Sequence, residues 1–149
     1  MSALPDVNFL AAMLDPQHLH HPAAHHWFEA HGHLGWATCP ITENGCIRVL
    51  TQPAYPGGSF SVRDITHRLS VATAAPEHAF WPDAVSILDA AILDTSAIHG
   101  PGQLTDAYLL ALCAHRGGRL VTFDRSVPTR AVRESREDNL VVLAGDSKG

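Results

Sequence analysis

Two spacings of apolar residues alternate along this chain. Short continuous apolar runs, of the length of a buried strand, are separated by longer stretches whose apolar positions recur at helical intervals. Leu4–Asp6 reads as an opening strand, and a helix follows from about Asn8 to Leu14, ended by Pro16. Pro22 suits a first helical position, and AAHHWFEAH then runs to Gly32, a natural stop. GWATC is a second buried strand, after which Thr42 is expected to cap a helix carrying Cys46, Ile47, Val49 and Leu50 at helical spacing.

QPAYPGGS is loop, and Ser61 with Asp64 three residues on resembles a capping box for VRDITHRLSVAT. HAFWPD gives a third strand or extended segment, and Asp83 would cap a short helix over AVSILDAAI. After the loop SAIHGPGQ, Thr105 is expected to cap DAYLLALCAHR, the most apolar helix, which Gly117 and Gly118 stop. RLVTF and NLVVLA are the last two strands. Strands alternating with helices throughout define an α/β fold with a parallel sheet covered on both faces.

Composition adds little to that fold but excludes several function classes. A length of 149 residues suits one domain with a sizeable core. No apolar run reaches the roughly 18 residues of a membrane span. The start MSALPDVNFLAAML lacks a basic region before its apolar stretch, which argues against a signal peptide. Cys39, Cys46 and Cys113 form no CxxC and no even disulfide set, so a reducing cytoplasm is the expected setting. The net charge of -5 rules out an indiscriminate polyanion binder. The cations are nevertheless uneven: Arg116, Arg119, Arg125, Arg130, Arg133, Arg136 and Lys148 all lie in the last quarter. That cluster either steers a nucleic-acid backbone or forms a solvated surface interleaved with Glu134, Glu137 and Asp138.

The chemistry rests on four acids at the joints between elements: Asp6, Glu43, Asp106 and Asp124. Asp6 and Asp124 end strands, whereas Glu43 and Asp106 fall in first turns of helices, beside Thr42 and Thr105. Taken singly, an acid in a first helical turn is favoured by the helix dipole, and an aspartate after a strand is ordinary turn chemistry. In open parallel sheets, however, ligands gather beyond the carboxyl ends of the strands, where four such acids would share one cleft. Like charges crowded at the rim of a core need a cation, and hard oxygen donors suit Mg²⁺ or Mn²⁺.

The strings DVNFL, TENG, LTDAYLLALC and VTFD, in that order, resemble the PIN-domain nucleases, and among them the VapC ribonuclease toxins of type II toxin–antitoxin systems. The resemblance covers nearly the whole chain, including HPAAHHWFEA and GWATCPITENG. It implies a three-layer α/β/α sandwich about a mainly parallel sheet of about five strands. It further implies Mg²⁺-dependent hydrolysis of RNA phosphodiester bonds, leaving a 5′-phosphate and a 3′-hydroxyl. Asp6 and Asp106 would be the foremost metal ligands, with Glu43 and Asp124 completing the cluster directly or through water. Asn8, Thr42 and Thr105 would orient carboxylates or metal-bound water, or in the case of Thr105 simply cap a helix. Thr122 and Ser126 flank Asp124 without an assigned part, and Arg125 is either an RNA contact or a surface residue. A VapB-type antitoxin and a second copy of the chain are the implied protein partners, together with the RNA substrate. One departure is Pro5, where the family carries an aliphatic residue; proline cannot donate to a ladder, so the first strand should be short or bent.

Two readings compete. A non-catalytic protein of the same fold would bind RNA or protein without cutting. Alternatively, the histidines between His18 and His33 include His21 and His25 at the i, i+4 spacing of a zinc pair, although no further ligands stand at finger-like spacing. Phe9, Leu10, Met13, Trp27 and Phe28 would either line an antitoxin groove or pack in the core.

Overall fold

The computed structural model describes residues 1–144. Lys148, counted above with the basic cluster, lies outside them. Five strands, β1 (Ala3–Pro5), β2 (Trp36–Thr38), β3 (His78–Phe80), β4 (Arg119–Thr122) and β5 (Leu140–Val142), form one sheet in the order β3-β2-β1-β4-β5. Every pairing is parallel. Five α-helices cover it: α1 (Val7–Leu14), α2 (His21–His31), α3 (Pro40–Thr51), α4 (Val62–Thr73) and α5 (Leu104–Arg116).

Side-chain alternation along the strands divides the core into layers. Leu4, Ala37 and Leu120 face α5, whose Leu109 and Leu112 are fully buried, together with Trp81, Leu93 and Val132. Ala3, Trp36 and Val121 face the opposite way, onto α1, α2, α3 and α4. The expected three-layer sandwich with a parallel five-stranded sheet is thus the observed one. Phe9 and Leu10 are fully buried and Trp27 nearly so, which places these aromatic and aliphatic residues in the core and not along an open groove. His21 Nδ1 donates to the Ala12 carbonyl (2.7 Å), tying α2 to α1, while His25 pairs with Glu29 on the surface.

Pro5 explains how the central strand is tied. Ala3 N–H donates to Gly35 on the β2 side, and Asp6 N–H donates to Val121 on the β4 side (3.0 Å). Alternation therefore puts the proline nitrogen, which has no hydrogen, on the β2 side. Accordingly β1 pairs with β2 only at Ala3↔Trp36, whereas it pairs with β4 at Ala3, Leu4 and Pro5. The first strand is short, as its sequence implies, but Asp6 keeps its own ladder bond.

Three local expectations need correction. Thr42 does not begin α3; Cys39 does, with Pro40 at the first position, and Thr42 Oγ1 accepts the Cys39 N–H (3.0 Å). Thr105 likewise lies inside α5, because the turn Pro101–Gln103 starts the coil earlier. AVSILDAAI is not a helix. Ser86 Oγ accepts from Leu88 N–H (3.1 Å) and Asp89 Oδ1 from Ala91 N–H (3.0 Å), so short polar side chains take the backbone donors a helix would need. Ser61 does cap α4, accepting from Asp64 N–H (3.0 Å), but the Asp64 carboxylate pairs forward with Arg68. Gly117 ends α5 in the left-handed conformation (φ 68°), as the sequence implies.

Candidate active site

At the carboxyl end of the sheet, β1 runs directly into α1 through Asp6. Asp6 is 4% exposed. Its Oδ1 caps the helix by accepting the Phe9 N–H (2.8 Å), and its Oδ2 accepts the hydroxyl of Thr122, the last residue of β4. Thr122 Oγ1 in turn accepts the Asp124 N–H (2.9 Å). One hydroxyl therefore sets the distance between the acid after β1 and the acid after β4. Asp124 is held from its other side by Ser126, whose N–H (2.8 Å) and hydroxyl (2.7 Å) both donate to Oδ1.

Asp106, in the first turn of α5, completes this half, lining the same cleft as Asp6 and Asp124. Burial pushes Asp6 up to about 6, with the Asp124 charge adding to it against the opposing bonds from Thr122 and Phe9. Burial and then the Asp6 charge push Asp106 up to about 7. Asp124 shifts the other way, downward, because Ser126 donates to it twice. The two acids are thus pushed apart, Asp106 toward its neutral form and Asp124 toward its charged one.

Glu43 stands in the first turn of α3, on the other wall. Its Oε2 accepts the Thr38 hydroxyl (2.7 Å), and Thr38 Oγ1 is 2.8 Å from His78 Nε2. Thr38 has one hydrogen, given to the carboxylate, so His78 donates Nε2–H to Thr38. Glu43 is thereby held toward β2 and β3, apart from the three aspartates.

Asp6, Asp106 and Asp124 open onto a cleft of about 560 Å³, with Asn8, Thr105 and Arg48 also on its walls. Asn8 is exposed there and free of the core. Thr42 is buried and uses its hydroxyl on the Cys39 backbone, so its bonds are those of a helix start. Arg125 is exposed. Gly45 brings the two walls together: a Cβ there would meet Val7 Cγ2 at 2.6 Å.

The donor set fits a hard divalent cation: every converging acid offers carboxylate oxygens, and burial with mutual repulsion raises Asp6 and Asp106, a cost that a cation would offset. Among the described residues no three acidic, histidine or cysteine side chains are drawn close enough to ligate one ion together. Thr122 and Ser126 are the parts the sequence left unassigned. The spacing of two residues puts Thr122 on the same side of the chain as Asp124, but its place beside Asp6 follows from the strand order.

Sheet order, the joint positions of the acids and the cleft between α1, α3 and α5 together define a PIN domain, and the family model for the PIN domain matches residues 3–132. The chain belongs to this family. Ribonuclease VapC44 of Mycobacterium tuberculosis is 46% identical over 143 residues, covering 96% of this chain and 100% of that protein. Ribonuclease VapC38 of the same organism is 44% identical over 129 residues, 87% of this chain and 89% of that protein. Ribonuclease VapC39 is 40% identical over 131 residues, 88% and 94% respectively. Within the PIN family the chain therefore groups with the VapC proteins. No helix among the described residues is long and apolar enough to cross a membrane.

Proposed function

We propose that this protein is an endoribonuclease, the toxin of a type II toxin–antitoxin pair, hydrolysing RNA phosphodiester bonds in the acidic cleft with Mg²⁺, for which Mn²⁺ can substitute. The observation that carries the reading is the convergence of Asp6, Asp106 and Asp124 from three elements onto one cleft. The names of the VapC relatives support it. Asp6 and Asp106 would hold the ion, with Asp124 and, from the opposite wall, Glu43 acting directly or through water. A bound divalent ion supplies a more acidic water as nucleophile and offsets charge on the phosphate. Thr122 bridges Asp6 and Asp124, and the two bonds from Ser126 favour the ionised form of Asp124. Asn8 and Thr105 face the same space and would orient water or substrate. A VapB-type antitoxin would silence the toxin, and a homodimer is the expected assembly.

Replacement of Asp106 by Asn keeps size and a donor but removes the ligand. Asp106→Asn and Asp6→Asn should each abolish Mg²⁺-dependent cleavage of single-stranded RNA and growth arrest on induction, with the thermal melt retained. Cleavage surviving in both variants would overturn the reading. RNA held but never cut by the unaltered protein, with Mg²⁺ or Mn²⁺ present, would favour a binding module instead.

A further inference from the structure

A second groove, of about 310 Å³, adjoins the acidic cleft and shares Asp6, Asn8 and Asp124 with it; its remaining walls are His18, His20 and Phe123. These rings end a continuous aromatic column. Trp27 meets Phe9 edge-on (5.7 Å between centroids), Phe9 stacks on Phe123 (5.0 Å, 22°), and Phe123 packs on His20 (4.8 Å, 34°). His18 follows at 5.7 Å from His20. Because Phe9 is fully buried, the column is anchored in the core and its outer rings are held in place at the groove.

We propose that this groove is a base-stacking subsite, which takes the single-stranded RNA nucleotide next to the bond that is cut. The inference rests on the ribonuclease reading above. Charge decides between base and phosphate as the group bound. The groove has no Lys or Arg among its lining residues, and its two carboxylates, Asp6 and Asp124, belong to the ion site, so away from the ion it offers a phosphate no cation, whereas its rings suit the uncharged face of a base. Aromatic rings bind unpaired bases through their faces with little sequence preference. His18 adds a fixed donor. Its Nδ1 accepts the His20 N–H (3.0 Å), so the neutral ring carries its hydrogen on Nε2, where it can donate to a base carbonyl or a ribose oxygen. Burial holds the His18 imidazole below its ordinary range, in keeping with that neutral form.

The test uses the full-length Asp106→Asn protein, so that RNA is held and not cut. Affinity is read by fluorescence anisotropy in Mg²⁺ for a short oligouridylate and for an abasic oligomer of equal length. The oligouridylate should bind about tenfold more tightly. His20→Asn suits the start of α2, where His20 stands, but lacks the ring, and should remove that difference. His20→Phe keeps a ring and should restore it. Equal affinity for the two oligomers overturns the subsite without recourse to any His20 variant. So does a difference that persists in His20→Asn, or a parallel loss for both oligomers. If neither oligomer binds and the unaltered protein cuts no RNA, the ribonuclease reading falls and the subsite with it.

Discussion

Thr122 and Thr38 end β4 and β2 in the same manner, each giving its hydroxyl hydrogen to an acid, yet the two halves of the cleft they serve are built differently. Thr122 is braced between two acids: it donates to Asp6 and accepts from the Asp124 backbone. Both partners of its hydroxyl belong to acids of the cleft. Thr38 donates to Glu43 and accepts from His78 on the edge strand β3, so its loyalty is outward. Asp6 is also pinned by a backbone N–H, while Glu43 has a longer side chain and one short-range partner. The β4 half is thus rigid and pre-set; the β2 half holds its acid by a side-chain relay that a ligand can rearrange.

The comparison is broken most severely at Thr122. Thr122→Val keeps shape but leaves Asp6 Oδ2 and the Asp124 N–H without that partner. Loss of a group that orients a metal ligand costs about 10- to 100-fold, and cleavage should fall toward the upper end of that range, with weakened metal affinity. Near-normal cleavage would mean that Phe9 alone suffices to hold Asp6. Thr38→Val should cost less, about tenfold at most, because Glu43 is released from a contact that does not face the aspartates. If Thr38→Val proves the more damaging, the Glu43 wall and not the aspartate wall is the preorganised one.

Between the halves, Gly45→Ala should destabilise the fold by about 1 kcal/mol, the low end for overpacking, since Val7 is only half-buried and can yield. Denaturant unfolding would read it, and no change would show that the α1–α3 spacing is slack. The last expectation is a pH dependence of the metal-free protein. Asp6 at about 6 and Asp106 at about 7 stay protonated in the fold at pH 5, where the unfolded chain has already released those protons. The native state binds more protons there, so stability falls as pH rises through 6 and 7. In a chelator, Tm should drop by on the order of a few degrees between pH 5.5 and pH 8, and Mg²⁺ should reverse the drop. A chelated protein more stable at pH 8, or an unchanged slope in Asp106→Asn, would contradict the buried acid pair.

How far these features were legible in the chain follows from what sets each of them. The α5 helix and its Asp106 announce themselves, because LLALC buries a full face and Gly117 closes it. Ser61 and Pro22 also act locally, and local chemistry is readable. Residues 84–92 are not, since the apolar spacing of Val85, Leu88 and Ile92 mimics a helix while Ser86 and Asp89 capture its donors. Strand order is a property of the whole sheet, so nothing in VTFD says that Thr122 lies beside Asp6. For the same reason the direction of Glu43 was hidden. It depends on His78, in an edge strand whose exposed Phe80 gives little hydrophobic signal.

Pro5 has a bearing on how such a site diversifies. With one residue pair joining β1 to β2, the alignment of the two walls is left to helix packing, above all Val7 against Gly45. A backbone ladder imposes the same spacing on every sequence that forms it. A packed contact does not; its separation follows the volume of the side chains present. The aperture of the cleft is therefore open to inheritance in methyl-sized steps at positions 7 and 45, independent of topology and of the acids themselves. Descendants of such a chain can be refitted to bulkier or slimmer RNA segments by substitutions that never touch the reacting groups.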